Sequence, residues 1–245
     1  MPATKKKSKS SKKSSSRKPS DMVVPGYTRT GGAFMRFNPL GPELKWKDTD
    51  VSGVINFGLA SRIDPLANVV QGTEPFQRIG RSVTIRSVEI KLNVQGIWAP
   101  TAANPFATPI SYRVDLVLDK QANGALPAGA DIYDTSIGQV DVCNRFQNLY
   151  NSDRFVIIKR WEGDLNPSGF PSAIGAATAS RMDMSRDLKF KKRMNAKKEI
   201  SGNTGANAEI RSNNLLLVYS CSTQVAATAS FGLTTADTRV LFSDV

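Results

Sequence analysis

The chain has 245 residues, 40% hydrophobic and 22% charged, with a formal net charge of +12. That composition suits one globular domain with a tail, or two small domains. It contains no histidine, which excludes His-based general base catalysis, Ser-His-Asp and Cys-His arrangements, and His-liganded zinc.

Two cysteines, Cys143 and Cys221, make neither a metal spacing nor a disulfide framework. The longest uncharged run, 212–236, is rich in Ser, Thr and Ala, so no membrane insertion is expected. The first residues lack the apolar stretch of a signal peptide. A reducing compartment, cytosol or nucleus, fits these features.

Residues 1–20 read MPATKKKSKSSKKSSSRKPS and carry Lys5, Lys6, Lys7, Lys9, Lys12, Lys13, Arg17 and Lys18 with no acid. Eight of the net +12 charges therefore sit here, and residues 21–245 carry +4. The segment has no branched aliphatic or aromatic residue before Val23, so it cannot bury enough apolar surface to offset the entropy of ordering. Residues 21–42 follow with Pro25, Gly26, Gly31, Gly32, Pro39, Gly41 and Pro42, a density of breakers that reads as an extended linker. Arg29 and Arg36 continue the positive charge among Tyr27, Phe34 and Phe37. Those aromatics suit base stacking or tacking of the linker onto the body. The expectation is a disordered basic arm and linker over 1–42 and a folded body over 43–245.

The body opens with ELKWKD as a short strand and VINFGL, 54–59, as another, then a loop through Asp64, Pro65 and Gly72 to Pro75. From Val83 to Val94 apolar residues alternate with polar ones, and the phase slips near Ser87. Alternation predicts a half-buried strand, and the slip predicts a bulge. Residues 99–109 form a proline-rich loop. Ile110–Leu118 is a clear strand, and Asn123-Gly124 marks a turn. Residues 131–152 suit a short helix or irregular insertion anchored by Tyr133, Val140, Phe146 and Leu149. The stretch 154–161, RFVIIKRW, reads as a central strand, and 163–180 as a long loop. Asp187–Arg193 alternates apolar and basic residues. NLLLVYS, 214–220, reads as a buried strand, and Arg239–Phe242 as the last. The pattern predicts an all-β fold of roughly eight strands, an antiparallel jelly-roll sandwich whose crossings between sheets need long loops.

Catalytic chemistry is poorly supported. GTEPFQRIGR, 72–81, lacks the Gly-Lys-Ser/Thr ending of a phosphate-binding loop and reads as a loop feeding a strand. Asp48 with Asp50, and Asp115 with Asp119, are spaced for calcium, yet read more simply as solvated strand ends. No cofactor is expected. The basic arm is the strong signal and fits a polyanion partner. Eight phosphate contacts on a single strand would give a salt slope of about −5 to −6. A 36-residue arm reaches at most about 120–130 Å extended and about 30–36 Å as a coil, so it searches a volume. Lys5, Lys6, Lys7, Lys12, Lys13, Arg17 and Lys18 also fit a nuclear localisation signal. A second basic cluster holds Arg186, Lys189, Lys191, Lys192, Arg193, Lys197 and Lys198. It reads equally as a nucleic-acid-facing or partner-facing surface and as an edge strand protected by lysines.

Five motifs occur in order: Glu43-Leu44-Lys45-Trp46-Lys47-Asp48, Gln71-Gly72-Thr73 with Gln77-Arg78-Ile79-Gly80-Arg81, Asp119-Lys120-Gln121-Ala122-Asn123-Gly124, Asn151-Ser152-Asp153-Arg154-Phe155, and Arg239-Val240-Leu241-Phe242-Ser243-Asp244. With them the chain resembles the single jelly-roll capsid (coat) proteins of circular, Rep-encoding single-stranded DNA (CRESS-DNA) viruses. It is similar to geminivirus-like and satellite tobacco necrosis virus-like coat proteins. It departs from geminivirus coats in lacking their Cys/His cluster. The resemblance implies a non-enzymatic coat protein that self-assembles into a small T=1 icosahedral shell of about sixty copies. The arms would point inward onto a circular single-stranded DNA genome. Partners would be further copies of the chain, the genome and host nuclear import receptors. The protein would reside in the virion and the host cell nucleus. The loops 60–76, 99–109 and 163–180 would lie at subunit contacts or outside, with Phe76, Trp98 and Phe170 as contact residues. Two rivals are a cellular nucleic-acid-binding β-barrel with a basic tail, and an enzyme on a cupin-like scaffold, which the absence of imidazole disfavours.

Overall fold

Period-2 alternation dominates the body, and strands are what form. The computed structural model describes residues 43–55, 58–96, 110–136, 142–165, 185–223 and 232–244. The arm and linker, Val140, the 99–109 loop with Trp98, and most of the 163–180 loop with Phe170 lie outside the described residues.

The strands are β1 (Leu44–Ile55), β2 (Gly58–Pro65), β3 (Ser82–Gly96), β4 (Ile110–Asp119), β5 (Phe155–Leu165), β6 (Ser185–Glu199), β7 (Asn214–Thr223) and β8 (Gly232–Asp244). A four-residue helix, α1 (Gly129–Ile132), and short 3-10 turns sit between β4 and β5. Among the described residues no helix is long and apolar enough to cross a membrane. The first sheet has the order β1-β8-β3-β6 and the second β2-β7-β4-β5, with every neighbouring pair antiparallel. Of the seven connections between successive strands, only β4 to β5 stays within one sheet; the others cross between sheets. This is an eight-stranded jelly-roll sandwich.

One core fills the sandwich. Val88, Ile90, Leu92 and Val94 of β3 meet Val114 and Leu116 of β4, and Leu215, Leu217 and Tyr219 of β7. Trp161 and Phe190 close it edge-to-face, ring centroids 5.6 Å apart at 88°. A second cluster lies on the other side of the second sheet, where Val117, Leu216 and Val218 pack against Ile132, Tyr133 and Phe155. Alternate residues of β7 thus serve two cores, which accounts for the unbroken run NLLLVYS. Each such side chain contributes roughly 1.5–3 kcal/mol relative to exposure.

The register shift between Ile85 and Ser87 appears against both β6 and β8, where the apolar phase slips. Gly124 has φ +85° at the predicted turn, and an added Cβ there would lie 2.8 Å from the Ala208 carbonyl oxygen. Four expectations are corrected. ELKWKD and the start of VINFGL belong to one strand, β1, whose alternation is hidden because Lys45, Lys47 and Thr49 take inward positions and Leu44, Trp46 and Val54 outward ones. Residues 60–65, expected in a loop, belong to a strand that opens at Gly58. It is a half-buried edge throughout, and Pro65 is tolerated there because an edge spares a ladder donor. The RFVIIKRW stretch forms part of an edge strand, β5, and not a central one. It is apolar on both faces because Ile157 packs on the second cluster and Trp161 lies in the main core. Phe146 and Leu149 do not anchor the insertion: they are 68% and 81% exposed, whereas Ile132 and Tyr133 are fully buried.

Candidate nucleic-acid interface

Among the described residues nothing covers the outer face of the first sheet, which is mostly polar. The registers align its outward side chains in rows across four strands. One row runs Asp48, Arg239, Glu89, Lys191, and the next Asp50, Asp237, Lys91, Lys189. In the first row the charges alternate. Arg239 donates to both Asp48 carboxylate oxygens at 2.7 and 2.6 Å, and Lys191 lies 2.9 Å from Glu89. The hydrogen bond from Arg239 holds the Asp48 carboxyl below its ordinary value, and that from Lys191 does the same for Glu89. In the second row the acids gather on β1 and β8 and the lysines on β3 and β6. A third row, Trp46, Leu241, Ser87, Arg193, places a 42%-exposed indole on the same face.

The basic edge of this face is β6. Lys189, Lys191, Arg193 and Lys197 are exposed on its outward phase. Arg186 and Lys192 are also exposed, but pair with Val94 and Val88, the core-facing positions of β3. Lys198 does not belong to the surface. It is fully buried, and its ammonium donates to the Ala67 carbonyl at 2.7 Å and Asn214 Oδ1 at 3.1 Å. Its partner across the ladder is Val83, a core residue, so alternation carries it inward. Burial pushes its pKa down to about 7. Lys91 and Arg239 join the cationic side chains of this face, and no run of bases marks either in the sequence. Arg239 is the one base of β8, and β3 carries only Arg86 and Lys91, so the strand order is what brings them beside β6.

The second sheet offers no such face, because the β4–β5 insertion covers it. Asp115, fully buried, accepts from Arg160 at 2.9 and 3.0 Å and from the Tyr133 hydroxyl at 2.7 Å. Arg113 stacks over the Tyr133 ring at 4.1 Å and donates to the Cys143 and Arg145 carbonyls at 2.7 Å. Burial, then the Asp115 charge, push the Tyr133 hydroxyl up, and hydrogen bonding to Asp115 raises Arg160. Asp119 takes a two-pronged contact from Arg154, both distances 2.9 Å. Asp115 and Asp119 are therefore buried ion-pair partners, not solvated strand ends. Among the described residues no group of acids, cysteines or histidines could hold a metal ion.

The 72–81 segment is a structural clasp. Buried Arg78 donates to the carbonyls of Val69, Gly80 and Gly202, and burial lowers its pKa. Lys45 ties β1 to the same loop through the Gln77 carbonyl at 3.0 Å and to β8 through Asp244 at 2.9 Å. The resemblance motifs around residues 43–48, 71–81 and 239–244 thus meet at one end of the sandwich. Phe76, at the loop's tip, is 47% exposed.

The strand topology places the protein among the jelly rolls, the architecture of viral capsid domains, lectins and cupins. The chain belongs to the geminivirus coat protein/nuclear export factor BR1 family, whose model matches residues 3–245. It is accordingly a viral capsid protein, with a structural role, and the cellular β-barrel reading falls away. No curated protein matches the sequence. A solved chain from desmodium yellow mottle tymovirus is similar at 10% identity, covering 91% of this chain and 95% of that one, with a TM-score of 0.31.

Proposed function

We propose that the protein assembles into a small closed icosahedral shell around a single-stranded nucleic acid genome, circular DNA, in about sixty copies. The observation that carries this reading is the join of a jelly-roll capsid body to an arm with eight positive charges and no acid in residues 1–20. The body, 43–245, forms the wall. The arm, 1–42, neutralises phosphates through Lys5, Lys6, Lys7, Lys9, Lys12, Lys13, Arg17, Lys18, Arg29 and Arg36. The exposed bases of β6, namely Arg186, Lys189, Lys191, Lys192, Arg193 and Lys197, extend that contact onto the first sheet. Such contacts position the genome without reading its sequence. Before assembly the 5–18 cluster serves as the nuclear localisation signal, bound by host import receptors, so the protein passes through the nucleus as well as residing in the virion.

Binding to a short single strand tests the division of labour. The full chain should show a salt slope of about −5 to −6 or steeper, and a chain starting at residue 21 should lose most of it. An unchanged slope on truncation would remove the arm from the interface. Loss of the body's thermal transition would contradict the boundary between arm and body.

A further inference from the structure

The β4–β5 insertion reverses the usual distribution of side chains. In residues 146–152 the polar ones face the protein: Asn148 Nδ2 donates to the Ala130 carbonyl at 3.0 Å, Asn151 Nδ2 to Asp131 at 2.9 Å and Gln147 Nε2 to Phe155 at 2.8 Å. The apolar ones face solvent: Phe146 is 68% exposed, Leu149 81% and Tyr150 100%. The backbone between them is fixed. The Phe146 carbonyl accepts from the Asp134 amide and the Asn148 amide donates to Ile132, both at 2.9 Å, and Asn148 Oδ1 caps the turn by accepting from the Tyr150 amide at 3.0 Å. Three large side chains are therefore held out on a rigid support, with their ordering cost already met in the free subunit.

We propose that Phe146, Leu149 and Tyr150 form a contact through which one copy of the chain docks on the next. This deepens the shell-forming reading and rests on it. Two observations select a second copy as the occupant. Copies of the chain carry like net charge, +12 each, and an uncharged patch is a surface on which two of them meet without repulsion. The stretch 146–152, FQNLYNS, has no charge, whereas a polyanion would be met by the bases of β6. The second observation is size. Three such side chains bury on the order of 400 Å² on one partner, about half of what a stable binary interface needs. A contact too weak to hold a dimer is suited to a closed assembly, where many repeats act together. Phe and Tyr also belong to the residue types enriched at interfaces.

The test compares the full chain with the variant Phe146→Ser/Leu149→Ser/Tyr150→Ser, each titrated with a single-stranded DNA and followed by sedimentation and negative-stain microscopy. Thermal melts and strand binding are measured in parallel. The expected result is an unchanged melting midpoint and unchanged binding of a short strand, with the assembly threshold raised about tenfold or more. Tyr150→Ser alone should shift the threshold the same way by less. Equal thresholds for wild type and triple variant would overturn the proposal and leave the shell reading standing. A lowered melting midpoint would assign the patch to the body's own stability, and lost strand binding would assign it to the genome; either overturns it. A wild-type chain that forms no particles would end the shell reading and this contact with it.

Discussion

The first sheet turns Asp48, Arg239, Glu89 and Lys191 to solvent in one row, while the second turns Val117, Leu216 and Val218 into a core closed by the β4–β5 insertion. Both faces contain Arg–Asp pairs of almost the same geometry. Arg239–Asp48 has both partners more than half exposed, while Arg160–Asp115 has a carboxylate with no exposure at all. The difference teaches where charge is structural. On the second sheet Asp115 holds the insertion to β4 and β5, and losing it takes the carboxylate from Arg160 and from Arg113, whose Nε lies 3.7 Å from it. On the first, water and salt screen each pair, so the face is free to meet a charged partner.

The largest expected effect comes from the covered face. Asp115→Ala leaves Arg113 and Arg160 without their carboxylate and should cost about 3–5 kcal/mol in urea denaturation. A cost under about 1 kcal/mol would mean that the network does not secure the insertion.

Lys198 is the next in size. Its folded pKa, about 7, lies below the ordinary lysine value. Between the two values the unfolded chain binds the additional proton, so this group makes stability rise with pH from about 7 upward, by about 1.4 kcal/mol per unit at most. Below about 7 the burial cost is present in full. Burial also pushes the Tyr133 and Tyr219 hydroxyls up, which opposes the trend near pH 10, so the comparison belongs between pH 7 and 9.5. Lys198→Met should flatten the rise seen in wild type. Parallel curves for the two proteins would place the ammonium in contact with water.

Smallest is Arg239→Ala on the open face, which should leave the unfolding midpoint unchanged within error, since exposed pairs contribute little. A clear loss of stability there would blur the contrast between the two sheets.

How much of this was legible in the sequence follows from period and partner. The bulge at Arg86–Ser87 was legible because a phase slip in one strand is visible without knowing its neighbours. The continuous run in β7 was legible as buried, but not as shared between two cores, since that depends on the insertion folding back over Leu216 and Val218. The strand character of residues 60–65 is not legible, because an edge strand half-buried along its whole length shows no alternation. Residue type puts Lys198 with its exposed neighbours, whereas counting by twos from Phe190 places it inward. Phe146 and Leu149 look like anchors only on the rule that large apolar residues lie inside, which runs one way only. The rows of the first sheet's outer face could not be assembled from sequence, because β1, β8, β3 and β6 come together only through the strand order.

Enclosure of a genome by copies of this chain is tested most directly by mixing the full chain with circular single-stranded DNA, adding nuclease, and imaging the product. The expected product is uniform closed particles of one diameter holding DNA that the nuclease does not reach. A monodisperse monomer at every salt and pH examined, with all the DNA digested, would contradict it.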